Sequence, residues 1–271
     1  MIKAFYRNAK LEKIKNLNDL TSYKINVISS SKKTIAQIYH EIRKHNLHQI
    51  MTVSHSSPRF LEITAHGINK GFAIKLFAKK YKILSEEIAS IGDSFNDETA
   101  FNESALSIGI NPKNPFFLEM CDRIVDHKTK GVKEAIETYV IKQSVANDQI
   151  KLVFSDLDGT LIDPKTKLYS AKTKLALQQC TNHLIPLAIA SGRGIFDGIR
   201  IVKEMKLNPK TNIYIIGNNG ATIYDIYTKK YISQTPLNEN DAKKVFDYIV
   251  NINDIVIQFV IWFYDLYVKF I

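Results

Sequence analysis

Short apolar runs alternate along the chain with segments whose apolar residues recur every three to four positions. Residues 24–29 read as a strand, 33–46 as an amphipathic helix, and 49–54 and 59–64 as two further strands. Helical spacing returns over 69–81, where Ala73, Leu76 and Phe77 lie near one face and Lys75 and Lys79 away from it. A short apolar strand over 88–92 ends at Asp93, and a helix over 96–102 follows. Residues 105–109 and 123–125 read as strands and 132–142 as a helix. This alternation predicts a layered α/β architecture.

The stretch 143–149 (QSVANDQ) is polar and unpatterned, which marks it as a linker. After it the pattern restarts. Strands are predicted at 151–154, 186–190 and 213–216, and helices at 171–182 and 240–250. Asn219-Gly220, running into 221–224, is a hairpin signal. Near the end, residues 255–264 are apolar apart from Gln258. That run is about half the ~20 residues a membrane-spanning helix needs, so it is expected to form strands of a second domain.

Chemistry enters at Phe154-Ser155-Asp156-Leu157-Asp158-Gly159-Thr160. A hydrophobic strand ends in two carboxylates two residues apart, then a glycine turn. Open α/β sheets place their sites at the carboxyl ends of strands, so both acids would face a ligand crevice. A second strand, 187–190, ends in Ser191-Gly192-Arg193, and Asn69-Lys70-Gly71 opens a helix. The strand 88–92 ends in Gly92-Asp93-Ser94-Phe95-Asn96-Asp97. Taken singly, a strand-end serine reads as a turn residue, a helix-start lysine as a solvated one, and Asp97 as a dipole-compensating acid.

Together these segments resemble the four motifs of the haloacid dehalogenase-like hydrolases, in particular the Cof-type subfamily of small-metabolite phosphatases. The resemblance implies a three-layer Rossmann-like core with a parallel sheet and an α+β cap domain. It implies that Asp156 attacks phosphorus, that Asp158 protonates the leaving group and then activates water, and that Lys70 steadies the nucleophile. A carboxylate nucleophile divides hydrolysis into two steps through an acyl-phosphate, and Mg²⁺ offsets the repulsion between two anions. The implied Mg²⁺ shell draws on Asp156, Asp158 through its backbone carbonyl, Asp93 and Asp97. Ser191, Gly192, Asn96 and Asn219 are implied to contact phosphate or substrate, with Asn96 and Asp97 also orienting water or Lys70. The tight-turn role of Asn219 stands beside its functional one, and His66 and Arg193 are further candidates to face the substrate.

The motif order is rotated relative to the family. Residues 1–65 correspond to a late cap segment and 66–142 to the second half of the core, with 143–149 as linker. Residues 150–236 correspond to the first half of the core and 237–271 to an early cap segment. The cap is thus split between the two termini. One account is a working circular permutant, its seven-residue linker spanning at most ~25 Å. The other is an inactive fusion of halves of two neighbouring paralogous genes, acting if at all as an interaction module. That account leaves an unpaired strand edge near 259–267, through which copies could associate.

Composition narrows the remaining choices. With 45% hydrophobic and 24% charged residues the chain is of globular type. Its formal net charge of +10 is spread as scattered lysines with no arginine-rich block, so small anions rather than nucleic acid are the expected partners. The two cysteines, Cys121 and Cys180, have no metal-ligand spacing and fit a reducing cytoplasm. Residues 1–15 lack the unbroken apolar stretch of a signal peptide, and no membrane association is expected.

Overall fold

The computed structural model describes residues 21–125, 128–142, 150–261 and 265–269; the linker and the amino-terminal 15 residues considered above lie outside these. In chain order the main elements are β1 (Ser22–Ser29), α1 (Lys32–Lys44), β2 (Met51–Ser57), β3 (Phe60–Ala65), α2 (Lys70–Tyr81), β4 (Ile88–Gly92), β5 (Leu106–Ile110) and β6 (Arg123–Val125). They continue with α3 (Lys128–Glu134), β7 (Leu152–Asp156), α4 (Ala171–Asn182), β8 (Leu187–Ala190), α5 (Ile195–Met205), β9 (Ile213–Gly217), β10 (Thr222–Asp225) and β11 (Lys230–Gln234). Helix α6 (Glu239–Ile249) and strands β12 (Ile255–Ile261) and β13 (Asp265–Lys269) complete the chain. Contacts divide it into two compact units, Asn69–Gln234 on one side and Met1–Ile68 with Thr235–Ile271 on the other.

The unit Asn69–Gln234 is built on an eight-stranded sheet ordered β11-β10-β9-β8-β7-β4-β5-β6. The six strands from β9 to β6 are parallel, and β10 and β11 return antiparallel. The central pairing is β4 with β7, so strands from before and after residues 143–149 lie side by side, Ile88 opposite Leu152 and Ile91 opposite Ser155. Side chains alternate across this sheet. Leu152, Phe154, Ala188 and Tyr214 pack with Ala73, Ile74 and Phe77 of α2. Val153, Leu187, Ile189 and Ile215 pack on the other face with α4 (Ala176, Leu177, Cys180) and α5 (Ile201, Val202, Met205). Both faces are therefore covered, as parallel sheets require. Burying a side chain such as Phe154 contributes about 1.5–3 kcal/mol.

Side-chain caps start the helices. Asn69 Oδ1 accepts from Phe72 N at 2.9 Å and Ser170 Oγ from Thr173 N at 3.0 Å. Helix α3 continues as a π-helix over Ala135–Ile141, where a plain α-helix was expected. The segment after Asp93 is a 3₁₀ turn, Phe95–Asp97, followed by one α-helical turn, Glu98–Phe101.

The second unit brings the two ends of the chain into one antiparallel sheet, ordered β13-β12-β1-β3-β2. Strand β1 pairs with β12 from Ser22 opposite Ile261 to Ser29 opposite Ile255. One face is apolar: Ile25, Val27, Leu61, Ile63, Ile257 and Phe259 pack against Ile35, Ile38 and Ile42 of α1 and Val245 and Ile249 of α6. The alternate positions are polar, with Lys24 paired to Glu62 at 2.6 Å and Asn26 donating to Gln258 at 2.8 Å. The expected free edge near Phe259 is corrected in part. Strand β12 is interior because β1 and β13 pair on either side of it, and β13 takes the edge.

Candidate active site

Within the unit Asn69–Gln234, the carboxyl ends of β4, β7, β8 and β9 meet in one place. Chain direction reverses the strand order there: β7 leads outward to β8 and β9, and β4 outward to β5 and β6. Such a switch point opens a crevice at the strand ends. Asp156 is the last residue of β7, Asp93 follows β4, Ser191 follows β8 and Asn218-Asn219 follow β9. Lys70 enters from the first turn of α2.

Lys70 and Asp156 form the buried centre, 1% and 3% exposed. The ammonium donates to Asp156 Oδ1 at 2.6 Å and to Asp97 Oδ1 at 2.5 Å. Burial by itself would lower the Lys70 pKa, but the charges of Asp156 and Asp97 outweigh it and raise it. Asp156 is pushed well above the usual carboxylate range, first by burial and then by repulsion from Asp97 and Asp93, with Lys70 opposing. The other Asp97 oxygen accepts from the backbone N–H of Asp93 at 3.0 Å and of Ser94 at 3.2 Å. Both oxygens of Asp97 are thus engaged in holding Lys70 and the loop after β4.

Asp93, Asp97 and Asp156 each offer an oxygen within 4.8 Å of the others. Asp156 Oδ2 is buried and has no hydrogen-bond partner among the described residues. One ammonium serves two of these carboxylates and the third lies beside them, so two excess negative charges remain when all are ionised. A hard divalent cation fits such a set, because it supplies the missing charge and coordinates oxygen. Thr160 Oγ1 donates to Asp93 at 3.3 Å. Gly159, at φ +102°, lets the Asp93 carboxylate approach the turn after β7; a Cβ there would sit 2.5 Å from Asp93 Oδ2.

Asp158 is half-buried and turned toward the strand β8 end. Its Oδ2 accepts from Ser191 Oγ at 3.0 Å, and its Oδ1 forms an ion pair with Arg193 Nη2. The Ser191 hydroxyl is therefore spent on Asp158, while its oxygen accepts from Arg193 N at 3.0 Å. Gly192 lies between them, half-buried. Asn96 is half-buried, its Oδ1 accepting from Ser94 Oγ at 2.7 Å. Asn219 is 6% exposed, and neither atom of its side-chain amide has a partner among the described residues. It is placed by a left-handed backbone (φ 56°) and by its N–H on Ser191 O at 3.2 Å. Gly220, at φ +105°, passes so close to Asn69 that a Cβ would meet its carbonyl oxygen at 2.2 Å. The β9–β10 turn and the start of α2 are thereby locked together. His66 belongs to the other unit. The link from Arg193 to Asp158 was not readable in advance, since nothing in a 35-residue separation signals it.

The family model for haloacid dehalogenase-like hydrolase matches residues 3–136 and 153–269. The chain belongs to the haloacid dehalogenase-like hydrolases. Two curated relatives match parts of the chain. The candidate phosphatase MG125 of Mycoplasma genitalium is 31% identical over 126 residues, 46% of this chain and 44% of the relative. The 5-amino-6-(5-phospho-D-ribitylamino)uracil phosphatase YcsE of Bacillus subtilis is 29% identical over 106 residues, 39% of this chain and 41% of its own. The chain thus spans about half the length of the curated relatives it matches, or less. A solved haloacid dehalogenase-like hydrolase from B. subtilis covers 43% of this chain and 40% of its own at TM-score 0.38 and 22% identity.

Proposed function

We propose that this member of the haloacid dehalogenase-like hydrolases is a Mg²⁺-dependent phosphatase. It would act on a small phosphorylated metabolite, such as a sugar phosphate, through an aspartyl-phosphate on Asp156. The observation that carries this reading is the state of Asp156: one oxygen on a buried ammonium, the other buried near Asp93 without a hydrogen-bond partner among the described residues. A carboxylate so placed is oriented, and its second oxygen is available to an incoming group. Asp156 and Asp93, with the backbone carbonyl of Asp158, would hold the ion. Bound there, Mg²⁺ shields the nucleophile's charge from that of the phosphate.

In the first step a carboxylate oxygen of Asp156 bonds to phosphorus and the ester P–O bond breaks. Asp158, once released from its ion pair with Arg193 and protonated, delivers that proton to the departing oxygen. In the second step Asp158 takes a proton from water, whose oxygen attacks phosphorus and releases inorganic phosphate and the free Asp156 carboxylate. Lys70 holds Asp156 in line and balances charge, and Asp97 holds Lys70. The buried amide of Asn219, with Gly192 and Asn96, supports binding of phosphoryl oxygens, and Ser191 would join them by turning its hydroxyl from Asp158. The unpaired cysteines support a reducing, cytoplasmic setting; no helix among the described residues is long and apolar enough to cross a membrane.

Acid quenching during turnover should trap a phosphoryl group on the peptide that carries Asp156, detectable by mass spectrometry. A phosphoryl group on any other residue, or none under rapid turnover, would remove Asp156 as the nucleophile.

A further inference from the structure

We propose that a cavity at the amino-terminal end of the parallel sheet is a binding site for a small planar aromatic molecule that carries an acidic group. The cavity holds about 400 Å³, and all its lining residues belong to the unit Asn69–Gln234. That volume falls in the range of small-molecule sites. Lys151 and Leu152 reach it from the start of β7, Pro186 from just before β8 and Asn212 from just before β9. Asp156 stands at the other end of β7, about 13 Å away at the rise of an extended strand. The cavity is therefore separate from the candidate active site, and the inference does not rest on the phosphatase reading.

Three rings contribute to its lining. Phe77 and Tyr81, one turn apart on α2, gather with Tyr214 of β9, whose ring centroid lies 4.6 Å from that of Phe77 and 5.5 Å from that of Tyr81. Such rings favour a further aromatic ring in offset or edge contact. The Tyr81 and Tyr214 hydroxyls and the Asn212 side chain interact at the same place, which gives apolar walls a polar group to orient a ligand. Leu184 adds a second observation. It follows helix α4 in a left-handed conformation, φ 59°, where glycine is the common residue. Leucine there holds an apolar side chain, 61% exposed, against the cavity.

Charge selects the acidic group. Among the described residues the lining holds Lys151, half-exposed, and no carboxylate. Glu87 pairs with Lys151 but is not part of the lining. A second ammonium, that of Lys80, stands 5.7 Å from the centroid of the Tyr81 ring. An acid entering beside Lys151 and Tyr81 thus meets a complementary field.

The test is a fluorescence titration of the full chain, taken from a single size-exclusion peak, with 8-anilinonaphthalene-1-sulfonate. One molecule should bind per chain with a Kd on the order of 10–100 µM, as a ligand of that size reaches at ordinary efficiency. Leu184→Glu alters an exposed residue and should weaken binding at least about tenfold, by setting like charge against the sulfonate. Leu184→Lys should bind the probe as tightly as the unaltered chain. Tyr81→Ala should also weaken it about tenfold through loss of ring contact. N-Phenyl-1-naphthylamine keeps the rings and lacks the sulfonate, so it should bind about fivefold more weakly, the contribution of a half-exposed charge pair. Absence of saturable binding, or equal affinity in the unaltered chain, Leu184→Glu and Tyr81→Ala, would overturn the proposal. Equally tight binding of the neutral probe would overturn the acidic ligand. A dimer that Leu184→Glu dissociates, with no probe bound by the unaltered chain, would give the cavity to a second copy and overturn it as well.

Discussion

Lys70 is the residue on which the candidate site turns. A fully buried ammonium serves two carboxylates, and a third carboxylate lies within reach of both. Replacing it by methionine leaves Asp156 and Asp97 buried without compensation, so Lys70→Met should cost about 3–5 kcal/mol in urea unfolding. The pH dependence has a definite sign. Asp156 is raised in the folded state by burial, so the folded chain binds the extra proton. That stability is complete below the unfolded aspartate's ordinary value, about 3.9, and is lost as pH rises through the raised folded value. Without divalent ions the melting temperature should fall from acid toward neutral pH, more steeply in Lys70→Met, and Mg²⁺ should restore part of it. A flat profile in both chains would contradict the buried charge balance. The thiols give a second, independent check. Burial pushes Cys121 up to about 11 and Cys180 up to about 12, so both should resist alkylation at neutral pH until the chain unfolds. Rapid labelling of either in the native protein would refute that packing.

Elements were legible where local chemistry and tertiary packing agree. Helix α4 follows its Ser170 cap, and β4 is a short run, apolar but for Ser90, buried on both faces. Helix α5 was not anticipated, because Gly194 at its N-cap offers no side-chain oxygen and it follows directly on Ser191-Gly192-Arg193. Strand β11 escaped for a different reason: Lys-Tyr-Ile-Ser-Gln is an edge strand with no buried residue and hence no alternation. The π-helical stretch after α3 shares its spacing of buried positions with an α-helix too closely to be told apart over two turns. In the site, Asp156, Asp93, Asp97 and Lys70 were readable because each stands at the end of a recognisable element. The commitments of Asp158 and Ser191 to each other and to Arg193 are tertiary. The contact between the β9–β10 turn and α2 gives an element-scale prediction. In Gly220→Ala the Cβ clashes with the Asn69 carbonyl at a left-handed φ. A loss of about 1–3 kcal/mol is expected from the backbone strain alone. Displacement of Lys70 should reduce turnover as well. Wild-type stability and activity in this variant would contradict the lock between the two elements.

At the scale of the whole chain, the topology joins segments that lie far apart in the sequence. The parallel pairing of β4 with β7 makes one sheet out of segments on either side of residues 143–149. The pairing of β1 with β12 makes one antiparallel sheet out of the two ends of the chain. Neither union joins residues adjacent in sequence; both are tertiary pairings, and only the resemblance, not local patterning, pointed to them. All the candidate catalytic groups lie in the single unit Asn69–Gln234. The chemistry proposed for them therefore needs the two core segments to fold as one. The most direct test is hydrolysis of 4-nitrophenyl phosphate by the full chain, taken from a single size-exclusion peak, with and without Mg²⁺. The account predicts turnover that is abolished by chelation, restored by added Mg²⁺ and reduced at least about a thousandfold in Asp156→Asn, as loss of a nucleophile does elsewhere. A folded protein with no turnover, or turnover that survives in Asp156→Asn, would contradict it.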